Sequence, residues 1–267
     1  MALQARHWLP GREIVLLGDS SFAALEFLVT LARHGVVGVT RLRLDAALYE
    51  PAPPRRSGTI GRPRTKGARL PTLAECLARA DTHWTRVTVP GWYGEGDRDV
   101  EICSATAVWC HTGLPVLPIR WVLLRDPLHR FDPQALLCTD PARDPLQIVR
   151  WFVQRWQVEV TFREVRDHLG VETQRQWSDR AIARTTPCLL ALFSIVTLLA
   201  ARLRVRSAVW ADAWYRKPRP TFTDALATVR RQFWREQGLL LSGRQAKVRE
   251  LCPALRHGIA FALCHAA

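Results

Sequence analysis

The amino-acid sequence predicts a mixed fold, between α/β and α+β, and three features indicate it. Residues 13–44 have the pattern of a strand, a helix and a second strand, and residues 84–138 alternate like several short antiparallel strands. Residues from 143 onward have helical periodicity. A short apolar run is typical of a buried strand, and a one-sided apolar pattern is typical of a helix. We therefore expect a sheet in the first half of the chain and helices in the second.

The first predicted strand, residues 13–18, ends beside an acid, Asp19. Two serines follow and are expected to cap a helix at 22–33, before a second strand at 36–44. In open α/β sheets, sites form at the carboxyl ends of the strands. Asp19 is therefore a candidate site residue. The alternative is a plain helix-cap or turn acid.

Residues 50–70 interrupt this pattern, because they are rich in Pro and Gly and contain no acid after Glu50. Such a segment cannot be core, and we interpret it as a basic loop. Gly61-Arg-Pro-Arg64 resembles arms that enter the DNA minor groove, although an ordinary solvated linker fits equally well. The loop contributes six candidate DNA contacts: Arg55, Arg56, Arg62, Arg64, Lys66 and Arg69.

The charge balance favours a polyanionic partner. Lys and Arg number 38 against 24 acids, a formal net charge of +14. A GC-rich genome would explain the preference for Arg over Lys, but not the excess of bases over acids. Neutralised phosphates release counterions, so nucleic acid is the expected partner.

The cysteines and the apolar segments indicate a cytoplasmic protein that does not enter the membrane. Seven cysteines include no C-x-x-C pair, and Cys110-His111 lacks a second pair at zinc-ligand spacing. Buried, reduced thiols are expected. The longest apolar run, residues 187–201, lies between Arg184 and Arg202 and is short for a bilayer span, so we expect a core helix.

A helix is predicted at residues 145–169, from the Asp144-Pro145 cap to Gly170. At about 100° per residue, five of its side chains fall within a sector of roughly 80° that is apolar on both flanks. This indicates a helix packed on a sheet, with a charged stripe open to a cleft. Glu164 points about 140° away from the stripe at the same angular step. The stripe consists of Phe152, Arg155, Glu159, Arg163 and Arg166.

The spacing in this helix resembles a signature of bacterial insertion-sequence DDE transposases: Tyr, two residues, Arg, three residues, Glu, six residues, Lys. Here the four places hold Phe152, Arg155, Glu159 and Arg166. Asp19 matches the second acid of that family, at a strand end before a helix. The β-rich stretch between Asp19 and Glu159 resembles an insertion within a ribonuclease H-like fold. A structural ion pair of Glu159 with a neighbouring Arg is the alternative.

The resemblance implies a division of the chain into four parts. A partial ribonuclease H-like domain would be interrupted by the β-rich insertion and followed by helices. The implied parts are 1–45 with Asp19, the insertion 46–142 with its basic loop, the helical return 143–206 with Glu159, and a C-terminal helical region 207–267.

The resemblance also implies metal-dependent DNA strand cleavage and strand transfer at insertion-sequence ends. Asp19 and Glu159 would be the catalytic acids and the ligands of Mg²⁺, with Mn²⁺ as a substitute. The helix would add four DNA contacts, Phe152, Arg155, Arg163 and Arg166, to those of the loop. DNA ends and target DNA are the implied partners, with self-association on DNA in a nucleoid-associated protein.

Three departures from the family pattern alter the expectation. Phe152 replaces Tyr and Arg166 replaces Lys, which preserves ring packing and charge. The family's first Asp lies on an earlier strand, whereas residues 1–18 contain no Asp. We therefore expect a chain truncated at its N-terminus, inactive by itself, with Asp19 ending a central strand. The alternative is a non-catalytic DNA-binding or dimerising protein that antagonises a full-length transposase.

Overall fold

The computed structural model describes residues 1–55, 60–173, 175–203 and 220–234, together with 252, 258–259 and 262–264. The described chain divides into two compact units, Met1–Gln157 and Val158–Ala267. Arg56, most of a predicted helix at 242–264 and the end of one predicted at 221–237 lie outside the described residues. The four-part division at 45, 142 and 206 stays a prediction.

The first unit is built on a seven-stranded sheet with the order β1-β2-β7-β6-β5-β3, and β4 also pairs with β5. β1 and β2 are parallel, and the other pairings described are antiparallel. This mixed, mostly antiparallel sheet with helices confirms the predicted fold class and is compatible with an α+β ribonuclease H-like fold. The strands are β1 Ile14–Leu17, β2 Val36–Leu42, β3 Leu48–Tyr49, β4 Thr85–Val89, β5 Arg98–Trp109, β6 Leu117–Arg125 and β7 Gln134–Cys138.

Four helices belong to this unit; one begins at the predicted Pro145, and another begins at Leu25, three residues after the start predicted at 22. α3 has a capping box, in which the Thr72 hydroxyl accepts from the Glu75 amide and the Glu75 carboxylate accepts from the Thr72 amide. α1 was not predicted, because none of its residues is buried and no apolar stripe marks it. The helices are α1 Ala2–Trp8, α2 Leu25–Arg33, α3 Leu73–Ala78 and α4 Pro145–Gln154.

The core lies on both faces of the sheet. On one face Leu28 and Leu31 of α2 are buried with Leu123 and Leu137 of the sheet. On the other face α4 packs on β2, β4, β6 and β7. Its buried residues Ile148, Val149, Phe152 and Val153 meet Val39, Val122 and Leu136. Because side chains alternate along a strand, one sheet serves both layers.

β1 lies at one end of the strand order rather than at its centre. Among the described strands it pairs with β2 alone. The expectation that Asp19 ends a central strand is therefore wrong for the described sheet. The physical reason is that the β-rich stretch extends the same sheet through β7, which pairs with β2 on the side away from β1.

The helix predicted at 145–169 is divided into α4 and α5, Gln157–Leu169. At the junction the Arg155 amide donates to the Phe152 carbonyl over 3.1 Å, and the Trp156 amide donates to the Val153 carbonyl over 3.3 Å. These bonds span three residues, a tighter turn than the α-helix. The angular phase of an α-helix does not continue through such a turn, so the five-residue stripe is not a face of one continuous helix.

The ends of this segment agree with the sequence prediction. The Asp144 carboxylate accepts from the Gln147 amide over 2.9 Å, and Pro145 occupies the first turn. Gly170 follows α5 with φ of 74°, the left-handed conformation typical of a helix C-terminus.

The second unit contains α5 from Val158 onward, α6 Asp179–Arg202 and α7 Phe222–Phe233. Ser178 caps the start of α6, and Phe193 of α6 stacks on Phe222 at 4.5 Å between ring centroids. The expectation of a core helix is wrong for the described residues. Among the residues described in α6, Val196 alone is buried. By length and composition α6 could cross a membrane, with a mean hydropathy of 1.8, and no other helix of the described part could.

Asp126, in the turn between β6 and β7, gives a stability prediction for the first unit. Its side chain is 1% exposed and accepts from the Leu128 and Arg130 amides and from Arg130 Nε. Asp126→Ala would leave these donors without their acceptor, so we expect a loss of about 1–3 kcal/mol in the free energy of unfolding. Urea denaturation measures it. Asp45→Ala is the control, because Asp45 is 64% exposed and pairs with the exposed Arg43; it should change stability by less than about 1 kcal/mol.

The same carboxylate predicts a pH dependence. The Arg130 side chain and the two amides lower the pKa of Asp126 from 3.8 to about 2. A lowered pKa in the folded state stabilises the fold above the unfolded value. This contribution should therefore disappear as the pH falls from 3.8 to about 2. An equal acid sensitivity in Asp126→Ala would contradict the assignment.

Candidate functional site

Asp19 is positioned by the end of β1. The Gly18 amide donates to the Val39 carbonyl of β2 over 2.9 Å, which extends the parallel pairing to the residue before the acid. A Cβ atom on Gly18 would lie 2.7 Å from Cβ of Phe22, so a glycine is required where the chain turns. The turn is a short 3₁₀ helix, Ser20–Phe22, with Asp19 as its N-cap.

The carboxylate of Asp19 is exposed and receives two hydrogen bonds from Ser21. Its Oδ1 atom accepts from the Ser21 amide over 2.9 Å and from the Ser21 hydroxyl over 2.5 Å. The prediction that the serines cap the helix is wrong: α2 begins after Ala24, which makes no side-chain cap, and the serines belong to the short 3₁₀ helix that Asp19 caps. Asp19 therefore has the cap role that the sequence analysis gives as the alternative, and its side chain is still exposed to solvent.

Four groups lower the pKa of Asp19. The Ser21 hydroxyl has the largest effect, followed by the Ser21 amide, the positive charge of Arg155 and the Phe22 amide. Asp19 is therefore an exposed carboxylate that is ionised at neutral pH. Oxygen donors of this kind suit hard divalent cations.

Arg155 is the residue of the predicted stripe that the first unit brings toward Asp19. It lies in the turn after α4, half-buried, with its guanidinium carbon 5.8 Å from the centroid of the Phe152 ring. Phe152 itself is 3% exposed within the core beneath α4. Because the Phe152 side chain is buried, it does not reach a surface where DNA could contact it. Its ring packs against the Arg155 side chain instead.

Glu159 lies in the first turn of α5 and is half-buried. Negative charge is favourable there, because the amides of a first helical turn have no partners within the helix. Glu164 lies five residues later on α5, about 140° around the helix. It is 17% exposed, and its carboxylate is 3.4 Å from His168 Nε2. Ideal helix geometry therefore places Glu164 and Glu159 on different faces of α5.

The two arginines predicted on the same segment have acidic neighbours. Arg166 donates to both carboxylate oxygens of Glu172, over 2.7 and 3.1 Å, and this contact raises the pKa of Arg166. Arg163 is 63% exposed, with Nη2 3.8 Å from Glu164. A phosphate would have to displace Glu172 to reach Arg166, whereas Arg163 is already open to solvent.

Asp19 and Glu159 could each contribute one carboxylate ligand to a divalent cation. Within the described ranges no group of three or more His, Cys, Asp or Glu could hold a metal ion. Asp19 offers one exposed, ionised carboxylate in the first unit, and Glu159 offers a half-buried carboxylate in the second. Mg²⁺ is commonly held by one or two carboxylates and completed by water and substrate phosphates, so each of these side chains is a suitable type of ligand.

The sequence-based prediction missed Ser21 and Glu172 as partners of site residues. A signal for Ser21 was present, because an Asp often accepts from the amide two residues later in the chain. Glu172 has φ of 66°, an uncommon conformation for a residue other than glycine, and no local pattern predicts it.

Residues 1–94 match the family model described as DDE superfamily endonuclease. The matched part contains β1, Asp19, the basic loop and β4, and ends before Glu159. The match supports a DDE transposase-like family and a nuclease- or transposase-type function for this part of the chain. No curated protein matches the sequence.

The contacts of Asp19 give a prediction about its ionisation. Ser21→Ala removes the hydroxyl that most lowers the pKa of Asp19, so the pKa should rise toward its ordinary value of 3.8. A carboxyl ¹³C NMR titration measures it. Ser20→Ala is the matched control and should leave the pKa in place, because both serine hydrogen bonds come from Ser21. Equal shifts in the two variants would show that the hydroxyl is not the cause.

Proposed function

We propose, from the similarity of residues 1–94 to DDE superfamily endonucleases, that this chain takes part in DNA transposition. The reaction would be metal-dependent cleavage of a DNA strand and its transfer at the ends of an insertion sequence. The single observation that carries the proposal is Asp19, an exposed and ionised carboxylate at the carboxyl end of β1, with Arg155 near it.

The chemistry of phosphoryl transfer accounts for these residue types. A hydroxyl of water or of a DNA 3′ end attacks phosphorus in line with the leaving oxygen. Divalent ions, when bound, would activate the nucleophile and stabilise the leaving oxygen. Asp19 and Glu159 would hold Mg²⁺, or Mn²⁺ in its place, through carboxylate oxygens. The proposal that both acids bind the same ions comes from the family resemblance.

The basic side chains would hold the DNA. The planar guanidinium of Arg155 suits a phosphate, which can accept two parallel hydrogen bonds from it. Arg163 and Arg166 would add contacts from α5. Phe152 is assigned a supporting role beneath Arg155, because its ring is buried.

DNA is also the partner that the net charge of +14 supports. Element ends and target DNA are the proposed substrates. A transposase acts on two ends, so self-association on DNA is part of the proposal. A cytoplasmic, nucleoid-associated protein is the corresponding location.

The number of carboxylates limits the activity that we propose. Residues 1–18 contain no Asp, so Asp19 and Glu159 are the two ligands that the proposal names. With these two carboxylates alone, cleavage should be slow or absent. A non-catalytic DNA-binding protein that antagonises an active transposase is the second candidate, and the net charge of +14 suits it equally.

Plasmid nicking tests the proposed function. The chain alone should not nick supercoiled DNA above background with Mg²⁺ or Mn²⁺. A version extended by an upstream strand with the missing Asp should nick DNA that carries the element ends. Loss of a carboxylate that binds the metals should cost about 3 kcal/mol or more of transition-state stabilisation, so Asp19→Asn or Glu159→Gln should slow the extended chain at least about 100-fold.

Glu164→Gln is the matched control, since Glu164 lies on the same helix as Glu159 and faces away from it. It should retain activity, and all variants should still bind DNA. Cleavage that survives both Asp19→Asn and Glu159→Gln would show that other acids hold the metal. An extended chain that binds ends but does not cut would favour the antagonist.

A further inference from the structure

A basic cavity of about 810 Å³ lies in the first unit, away from Asp19. One wall is the basic loop, residues 62–67, and the other is the turn between β5 and β6, residues 110–116. The strand order places β1 and β3 at opposite ends of the sheet, five strand spacings apart, or roughly 24 Å. β3 pairs with the end of β5 beside the cavity. The cavity is therefore separate from the Asp19 carboxylate.

The loop is held at its base by backbone hydrogen bonds. The Glu50 amide donates to the Ala68 carbonyl and the Gly67 amide donates to the Glu50 carbonyl, each over 2.8 Å. The Leu70 amide donates to the Leu48 carbonyl over 2.9 Å. A Cβ atom on Gly67 would lie 2.7 Å from the Pro51 carbonyl oxygen, so the two ends of the loop approach too closely for a side chain. The base of the loop is therefore fixed to the sheet.

Lys66 connects the loop to the sheet. Its Nζ atom lies 3.6 Å from the centroid of the Tyr49 ring, and the Tyr49 side chain is the main cause of its raised pKa. Tyr49 pairs with Val108 of β5, two residues before the turn that forms the second wall. This contact holds a permanent positive charge beside the β5–β6 turn.

The charges that line the cavity are not balanced by acids. Arg62 and Arg64 are exposed, Lys66 is half-buried, and His111 lies on the opposite wall. No Asp or Glu is among the residues described as lining the cavity. A second cavity of about 460 Å³, at the other end of β5, differs because its arginines are matched by acids: it is lined by Arg86, Arg98 and Arg130 together with Glu95, Asp97 and Asp99.

We propose that this cavity binds phosphate groups of the DNA backbone. Two guanidinium groups and an ammonium within one concave surface suit phosphate oxygens, which accept charge-assisted hydrogen bonds. Contacts of this kind position a duplex and carry no sequence information. The cavity would therefore help to position DNA. This proposal rests on the proposed function only because it takes DNA as the polyanion.

The turn residues distinguish this site from a flexible basic tail. A solvated linker would contribute charge without regard to residues 111–116. In the proposed site, a group placed on the turn faces the same phosphate as Arg62 and Arg64. An acid introduced at Thr112, which is exposed in the lining of the cavity, should therefore repel the ligand.

The experiment measures binding of the full chain to a labelled duplex by fluorescence anisotropy across a series of salt concentrations. The double variant Arg62→Gln, Arg64→Gln should lower the slope of log K against log salt by about 1 to 2, because each phosphate contact contributes about 0.9. The matched control is Arg43→Gln, Arg79→Gln. It removes the same charge from exposed arginines that are paired with Asp45 and Asp81, and it should leave the slope unchanged.

Thr112→Asp provides a second variant that leaves the loop intact. It should weaken duplex binding, whereas Thr106→Asp, on the exposed part of β5, should not. Circular dichroism checks that each variant is folded. Equal losses in the loop variant and its paired-arginine control would reduce the effect to bulk charge and overturn the proposal. No loss in either cavity variant would overturn it as well.

A titration with ATP separates DNA phosphates from a free nucleotide. If the cavity variants lose ATP binding while the DNA slope stays the same, the assignment to DNA is wrong. The Asp19→Asn variant tests DNA binding by the cavity separately from catalysis. It should keep the full slope of log K against log salt even where nicking is lost. Failure of the nuclease function and failure of the cavity are therefore distinguishable.

Discussion

The parallel pairing of β1 with β2 is the constraint on which the rest of the first unit depends. The pairing extends to Gly18, whose amide donates to the Val39 carbonyl. Because Gly18 has no side chain, the backbone can turn close to Phe22. Asp19 is thereby held at the end of the sheet with its carboxylate exposed. β2 also receives β7 on its other side, so the antiparallel strands and the Asp19 turn share a single sheet.

Two positively charged regions of the first unit use this sheet in different ways. Arg155 follows α4, which packs on one face of the sheet, and its charge helps to lower the pKa of Asp19. Lys66 and its neighbours lie on a loop whose base pairs with β3. In the function that we propose, the first region would hold a scissile phosphate beside a metal ligand, and the second would hold other phosphates of the DNA backbone. Both follow from the excess of Arg over acid in the sequence, but the fold separates them.

Local sequence patterns predict most of the helices and strands. The features that these patterns miss depend on pairing between residues that are distant in the sequence. β1 and β2 lie within a few residues of the strands predicted at 13–18 and 36–44, and β4 to β7 lie within the stretch 84–138 that alternation predicts to be strands. The cap at Asp144 was visible for a similar reason. The turn at Arg155 was not, since neither Gly nor Pro marks it. The edge position of β1 depends on which strand joins β2, and no local pattern specifies that choice. Of the candidate site, the residue types were predictable and their contacts, such as that of Ser21, were not.

We propose that Asp19 and Glu159 bind the same divalent ion, and radical cleavage of the polypeptide tests this proposal most directly. Fe²⁺ can replace Mg²⁺, and with ascorbate and peroxide it produces radicals that cut the polypeptide near the bound ion. Mass spectrometry of the fragments should show cuts near residue 19 and near residue 159. Asp19→Asn should abolish both sets, and Glu164→Gln should abolish neither. Cuts near only one of the two acids, or cuts near Glu159 that persist in Asp19→Asn, would contradict the shared site.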